Sequence, residues 1–181
     1  MRAMGMTEIG QDWKIAALRS SFHVHFFILE EVMKTKYFDS AFFYAEKAFN
    51  NNEVPIGAVI VKNDEIIGFG YNNKEFDSSV LSHAELSAIK MAEKNLNNWR
   101  LDNCDIYVTL DPCPMCASAI KQARINNVYS ALSNSDQRNS EIILKIFEKD
   151  NTNAAVNFIS NLDEGRSKKM LSDFFSKQRK K

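Results

Sequence analysis

The heptapeptide CDIYVTL, Cys104–Leu110, is the most informative segment of this chain for predicting its fold. Its apolar character is nearly continuous, which predicts a central strand buried on both faces. A helix is predicted before it, from about His83 to Leu96, and another directly after it, from Pro114 to about Ala123. Because alternating helices and strands build right-handed βαβ crossovers, the sequence predicts an α/β fold.

The other predicted segments complete a mixed sheet. Pro55–Lys62 and Glu65–Tyr71 are rich in Val, Ile and aromatic residues and are separated by two polar residues, which predicts an antiparallel hairpin. A polar loop, Asn72–Ser82, follows. Two further strands are predicted near Val128–Leu132 and Ala154–Ser160, and further helices at Lys34–Asn50, Ser140–Glu148 and Asp163–Phe175. The predicted fold class is a three-layer α/β/α sandwich with a mixed five-stranded sheet.

Length and composition predict one ordinary globular domain. The chain has 181 residues, 45% hydrophobic and 25% charged, which is far from the signature of disorder. We expect residues 1–32 to be a weakly ordered N-terminal extension, because they show no clear period, and residues 33–181 to form the domain.

Charge and cysteine usage narrow the possible classes of protein. The formal net charge is zero, so no overall basic field attracts nucleic acid and any such site must be local. No stretch approaches the roughly 20 apolar residues that span a bilayer, so no membrane association is expected. Three cysteines do not make a disulfide framework, which favours a reducing cytoplasm.

Two short motifs open the helices on either side of the central strand. SHAELSAIK begins at Ser82, and DPCPMC spans Asp111–Cys116. Each has a structural interpretation: Ser82 and Glu85 fit a capping box, and Pro114 suits the first position of a helix. Because the crossover brings both helix N-termini to the same end of the sheet, however, His83, Cys113 and Cys116 are predicted to converge. An imidazole and two thiolates are good zinc ligands.

The number of ligands favours a catalytic site over a structural one. Structural zinc sites are closed by four protein ligands, whereas catalytic sites use about three. Cys104 is not expected to be a fourth ligand, because it lies at the far end of its strand, roughly 20 Å away. A hydrolytic zinc site needs a base, and Glu85 is predicted to take and return the proton, with its pKa held near neutral by apolar surroundings.

H-A-E followed by P-C-x-x-C resembles the signature of zinc-dependent nucleobase deaminases. Beyond it, the chain resembles the bacterial tRNA adenosine deaminases, of the cytidine deaminase-like fold, from Met33 on. The segments that carry this resemblance are VPIGAVIV (Val54–Val61), GYN (Gly70–Asn72), NWRL (Asn98–Leu101), YVTLDPCPMC (Tyr107–Cys116), ARI (Ala123–Ile125) and LSDFF (Leu171–Phe175).

The resemblance implies an activity and further site residues. It implies zinc-dependent hydrolysis of adenosine to inosine at the wobble position of a tRNA anticodon, with Glu85 shuttling protons and ammonia leaving. It also implies that Asn72 and the backbone amide of Ala84 contact the flipped-out base, and that Phe174 and Phe175 contact the anticodon loop. Judged by pattern alone, the two phenylalanines are core residues instead. Members of the family are commonly homodimers.

The sequence departs from the family pattern at three places, all outside the predicted metal ligands and Glu85. SALSNSDQRNS, Ser130–Ser140, replaces a glycine-containing segment that borders the RNA, and Asn134 stands where an acidic residue is expected. Ser79–Leu81 replaces the D-P-x that precedes H-A-E, and Asp111 replaces the commoner Glu. We therefore expect intact catalytic residues and altered RNA recognition.

Two alternatives remain open. A deaminase of a free nucleobase or nucleoside, such as guanine, cytosine or cytidine, would share the zinc motif and the fold. A non-enzymatic, zinc-stabilised RNA-binding module would need a fourth protein ligand and would not need Glu85.

Overall fold

A computed structural model describes residues 35–134, 137–150 and 155–179 of the chain. Its strands are β1 (Gly57–Lys62), β2 (Glu65–Tyr71), β3 (Asp105–Val108), β4 (Asn127–Ser130) and β5 (Asn157–Ile159). Its helices are α1 (residues 35–50), α2 (Lys74–Asp77), α3 (Ala84–Leu96), α4 (Pro114–Gln122), α5 (Gln137–Phe147) and α6 (Glu164–Gln178).

The strands form one mixed sheet in the order β2-β1-β3-β4-β5. Strand β1 is antiparallel to both β2 and β3, whereas β3–β4 and β4–β5 are parallel pairs. Strands β2 and β3 therefore run in the same direction, and their carboxyl ends lie at the same edge of the sheet. This topology confirms the predicted α/β fold with a mixed five-stranded sheet and a central β3.

Helices cover both faces of the sheet. A methyl group added at Gly57 would lie 2.1 Å from the carbonyl oxygen of Ala41 in α1, and one added at Gly70 would lie 2.2 Å from that of Ala84 in α3. Gly70 pairs with Ala58, the neighbour of Gly57, so the two glycines point to opposite faces. The close approach of α1 to one face and α3 to the other confirms the three-layer sandwich.

The two faces of β3 bury different side chains. Ile106 and Val108 are fully buried in the aliphatic core beneath α3 and α4. Tyr107 points to the other face, where its ring stacks on Tyr129 at 4.7 Å between centroids and meets Phe38 of α1 edge-on at 5.5 Å. Burial of each such apolar side chain stabilises the fold by about 1.5–3 kcal/mol. Burial on both sides explains why CDIYVTL lacks alternation.

The structure differs from the sequence-based elements mainly at their ends. The predicted loop Asn72–Ser82 contains the short helix α2. Helix α5 begins at Gln137, three residues before the predicted start, and α6 continues to Gln178. Strand β5 is only three residues long, and part of the predicted Ala154–Ser160 lies outside the described residues.

Residues Tyr37–Lys181 form one compact unit, which contains the whole sheet. The prediction for residues 1–32 lies outside the described residues, so the boundary at residue 33 stays a prediction. Within the described ranges, no helix has the length and apolar character needed to cross a membrane.

Candidate active site

Two helix starts meet at the edge of the sheet where β2 and β3 end. His83 is the N-cap of α3 and Cys113 is the N-cap of α4; both have extended backbones, and neither side chain caps its own helix. Pro114 follows Cys113 at the first helical position, where a missing N–H costs no hydrogen bond. The side chains of His83 and Cys113 are therefore not used for helix capping. Cys116 lies beside them in the first turn of α4.

The three predicted ligands converge. The Nδ1 atom of His83 lies 3.4 Å from the Sγ of Cys116 and 3.8 Å from the Sγ of Cys113. All three ligand atoms lie within 4.8 Å of one another. A tetrahedral zinc ion, with bonds of about 2.0–2.1 Å to nitrogen and about 2.3 Å to sulfur, would separate a nitrogen from a sulfur donor by about 3.6 Å. The residues present therefore fit this ion in both chemistry and spacing.

A fourth protein ligand is absent from the part of the chain that the structure describes. The cluster contains His83, Cys113 and Cys116 only. Cys104 is fully buried at the opposite end of β3, with its sulfur 3.8 Å from the carbonyl oxygen of Asp102. Three candidate ligands, rather than four, is the number that the sequence analysis associates with a catalytic site.

The sulfurs of Cys113 and Cys116 lie within 4.8 Å of each other. Hydrogen bonding between the two thiols lowers the pKa of Cys113 to about 5 and, together with burial, raises the pKa of Cys116. Their sulfurs therefore favour one shared negative charge over two. A divalent cation would favour both thiolates, because its positive charge would stabilise two negative sulfurs side by side.

Glu85 is the second residue of α3 and lies in the first turn of that helix. It is 3% exposed, and burial raises its pKa to about 7. The negative charge of Cys113 also raises this pKa, whereas hydrogen bonds with its own backbone and Cys116 lower it. A carboxyl group with a pKa near 7 can both accept and release a proton at neutral pH.

The capping-box interpretation of Ser82 and Glu85 is wrong. The hydroxyl of Ser82 donates to the Asp77 carboxylate at 2.6 Å, and helix α3 begins one residue later than that interpretation requires, with His83 as its N-cap. Glu85 is thus not explained by helix capping, which leaves its carboxylate for the site.

Asn72 follows the last residue of β2 and is 5% exposed. The neighbouring Asn73 amide donates to the carbonyl of Ser82 at 3.0 Å, which joins this end of β2 to the residue before His83. The Nδ2 group of Asn72 donates to Glu53 at 3.2 Å. Sequence reasoning missed Glu53, because it belongs to no motif and its partners are 19 to 23 positions away.

The remaining predicted substrate residues lie in different environments. Ala84 is the first residue of α3, so its backbone N–H has no acceptor within the helix. Phe174 is 4% exposed and packs edge-on against Phe49, whereas Phe175 is 48% exposed. The pattern-based core interpretation is therefore right for Phe174, and only Phe175 presents its ring to the surface.

Asp111 links the atypical segment after β4 to the loop between β3 and Cys113. The buried carboxylate of Asp111 accepts a hydrogen bond from the Ser160 hydroxyl at 2.6 Å and from the Asn134 amide at 3.1 Å. Its own amide donates to Leu132 at 2.9 Å. Asp111 thus connects the strand that precedes Cys113 to the segments that follow β4 and β5.

Comparisons with known proteins agree with this architecture. The family model described as MafB19-like deaminase matches residues 32–179. The tRNA-specific adenosine deaminase of Bacillus subtilis (strain 168) is 37% identical over 145 residues, which cover 80% of this chain and 90% of that protein.

Two solved structures of deaminases align with this chain. One, from a study of A-to-I editing by tRNA deaminases at the wobble position of transfer RNA, aligns with a TM-score of 0.70 and 35% identity over 76% of this chain and 99% of that one. A guanine deaminase from Bacillus subtilis aligns with a lower TM-score of 0.55 and 30% identity, over 80% of this chain and 93% of that one.

Proposed function

Because this chain matches the MafB19-like deaminase family and belongs to the tRNA-specific adenosine deaminases, we propose that it converts adenosine to inosine at the wobble position of a tRNA anticodon. The reaction is a hydrolysis: water adds to the amine-bearing carbon of the base, the carbon–nitrogen bond breaks, and ammonia leaves. The observation that carries the proposal is the cluster of His83, Cys113 and Cys116 beside the buried carboxyl group of Glu85.

We propose that the metal is zinc. His83, Cys113 and Cys116 would hold it, and their nitrogen and sulfur donors match its preference. When bound, the ion supplies Lewis-acid chemistry that makes water a usable nucleophile near neutral pH. The burial of Cys116 and Glu85 keeps bulk water away from this part of the site.

Glu85 moves the protons of the reaction. Its carboxylate takes a proton from the attacking water, and the resulting acid gives it to the departing amine. A pKa near 7 suits both steps, because the group changes protonation state at the working pH. The shuttle consumes no net proton at Glu85, so the residue returns to its starting state after each turnover.

Substrate contacts are assigned from the family resemblance and supported by position. Asn72 and the Ala84 amide, at the end of β2 and the start of α3, would hydrogen-bond the flipped-out base. The exposed ring of Phe175 would stack in the anticodon loop, in keeping with the preference of single-stranded RNA bases for aromatic faces. Phe174 would support Phe175, because the two rings pack edge-on with their centroids 5.3 Å apart.

The assembly and location of the protein are also proposals. We propose a homodimer that works in the cytoplasm. The family resemblance supports the dimer, and three free cysteines among the described residues suit a reducing compartment. Light scattering on the purified protein tests the dimer directly.

The similarity to a guanine deaminase makes free guanine the strongest alternative substrate. The zinc-loaded protein should be incubated with an unmodified tRNA that carries adenosine at the wobble position and, as a matched control, with the same tRNA carrying guanosine there. Free guanine, adenine and cytidine complete the set, and Glu85→Ala serves as the inactive enzyme. We expect inosine, detected by mass spectrometry after nuclease digestion, only in the first tRNA. Conversion of free guanine without tRNA inosine would refute the proposal.

A further inference from the structure

A buried glutamate outside every motif holds the side chain of Asn72. Glu53 lies between α1 and β1 and is 2% exposed. Its Oε2 accepts the hydrogen bond from Nδ2 of Asn72, and its Oε1 accepts from the backbone amides of Glu75 and Phe76 at 2.8 and 2.9 Å. A carboxylate is stable in the interior only when its oxygens are paired in this way. Each oxygen of Glu53 therefore has a separate set of partners.

The chemistry of the carboxylate fixes the orientation of the Asn72 amide. A carboxylate only accepts hydrogen bonds, so Asn72 makes this contact only with its NH₂ group toward Glu53. The amide oxygen then faces away from Glu53, and within the described residues it accepts no hydrogen bond. One N–H and the oxygen of Asn72 are left for a ligand.

Asn72 lies beside the candidate metal site. The adjacent Asn73 bonds to Ser82, the residue before His83, and the backbone of Gly70 packs directly against Ala84. The other oxygen of Glu53 holds the first turn of α2, where the Phe76 ring is 81% exposed. One carboxylate thus connects the end of β2 with the exposed segment that follows it.

We propose that Glu53 is a positioning residue for the substrate base. It holds the Asn72 amide with its oxygen and one N–H directed away from the carboxylate, ready to bond the base, and it fixes α2 beside it. The inference rests on the proposed function, because it takes Asn72 as a contact to the base.

The substitution Glu53→Gln isolates this role. In one orientation, the glutamine oxygen accepts from the Glu75 and Phe76 amides, which preserves α2, but the glutamine NH₂ group then faces the NH₂ group of Asn72. In the opposite orientation, the glutamine NH₂ group faces the two backbone N–H groups, which are also donors. Asn72 must therefore turn over or move. We expect kcat/KM for wobble-adenosine deamination to fall roughly 10- to 100-fold, with zinc content and unfolding temperature close to wild type.

Glu65→Gln is the matched control. Glu65 is exposed at the opposite end of β2, so the same chemical change there should leave kcat/KM unchanged. A second comparison measures coupling: Glu53→Gln combined with Asn72→Ala should be no slower than Asn72→Ala alone, because the amide that Glu53 orients is then missing.

A measurement that does not need turnover completes the test. The side-chain amide resonances of Asn72, identified by their loss in Asn72→Ala, should shift in Glu53→Gln and stay in place in Glu65→Gln. Unchanged resonances in Glu53→Gln, or single effects on kcat/KM that multiply in the double variant, would overturn the proposal. A wild-type protein that makes no inosine would refute the proposed function instead, and the resonances would still decide the role of Glu53.

Discussion

The Nδ1 atom of His83 lies 3.4 Å from the Sγ of Cys116, although 33 positions separate the two residues in the chain. The contact follows from topology: β2 and β3 run in the same direction, and each is followed at its carboxyl end by a segment that starts a helix. A site formed in this way depends on the packing of α3 and α4 as much as on the ligands themselves.

Removing either cysteine of the cluster should release the metal. We expect Cys113→Ala and Cys116→Ala to lower the zinc content well below one ion per chain and to lower the unfolding temperature, because metal binding is linked to folding. Elemental analysis and thermal melts check both effects. Cys104→Ala is the control: it removes a buried thiol outside the cluster and should retain zinc. Full zinc occupancy in both ligand variants would contradict the assignment.

Replacing the proton carrier should stop the reaction and spare the metal. We expect Glu85→Gln to lower kcat about 10²–10⁴-fold, since the amide cannot carry the proton, with zinc content unchanged. Single-turnover assays and elemental analysis test this together. A variant that deaminates at the wild-type rate would show that another group carries the proton.

The pH profile of the wild-type enzyme provides a second test of Glu85. The group acts first as a base, so activity should fall as the pH drops and the carboxylate is protonated. Its pKa of about 7 is set mainly by burial, and a nearby cation would lower it. We therefore expect the acid limb of kcat/KM at or below about pH 7. An acid limb well above pH 7 would be inconsistent with this role.

Asp105 should make stability depend on pH far from the site. Burial raises the pKa of this carboxyl group above its usual 3.8, although the hydrogen bond from Asn127 lowers it. The folded state then binds more protons than the unfolded one, so this contribution to stability decreases as the pH rises from about 4 through the raised pKa. Asp105→Asn should remove that dependence. Urea unfolding of both proteins between pH 4 and 7 measures the difference, and parallel curves would contradict the assignment.

The hydrogen bonds of Asp111 should stabilise the fold by joining the loop before Cys113 to the segment after β5. Asp111→Ala leaves the Ser160 hydroxyl and the Asn134 amide without their acceptor, and we expect a cost of about 1–3 kcal/mol. Ser160→Ala, which removes one of the two donors, should cost less. Because the variants share one hydrogen bond, their effects on the free energy of unfolding should not add in the double variant. Strict additivity in urea melts would argue against the shared contact.

Local sequence patterns predicted most helices and strands, whereas side-chain contacts that leave no such pattern were missed. The apolar runs of the strands were enough to predict the sheet, and the two helix-opening motifs on either side of β3 were enough to predict the cluster of His83, Cys113 and Cys116. Helix α2 was missed, because its four residues are held by Glu53 from more than 20 positions away. Ser82 matched a capping box in sequence, yet Asp77 competes successfully for its hydroxyl. Neither contact leaves a periodic signal.

Gly70 has no reactive side chain, yet its missing β-carbon allows the start of α3 to pack closely against β2. A β-carbon there would lie 2.2 Å from the carbonyl oxygen of Ala84, so any side chain would displace the first turn of the helix and His83 with it. Metal affinity is therefore vulnerable at a position that neither binds the metal nor carries the proton. A screen for inactivating mutations that considered only ligand and proton-carrying residues would overlook it.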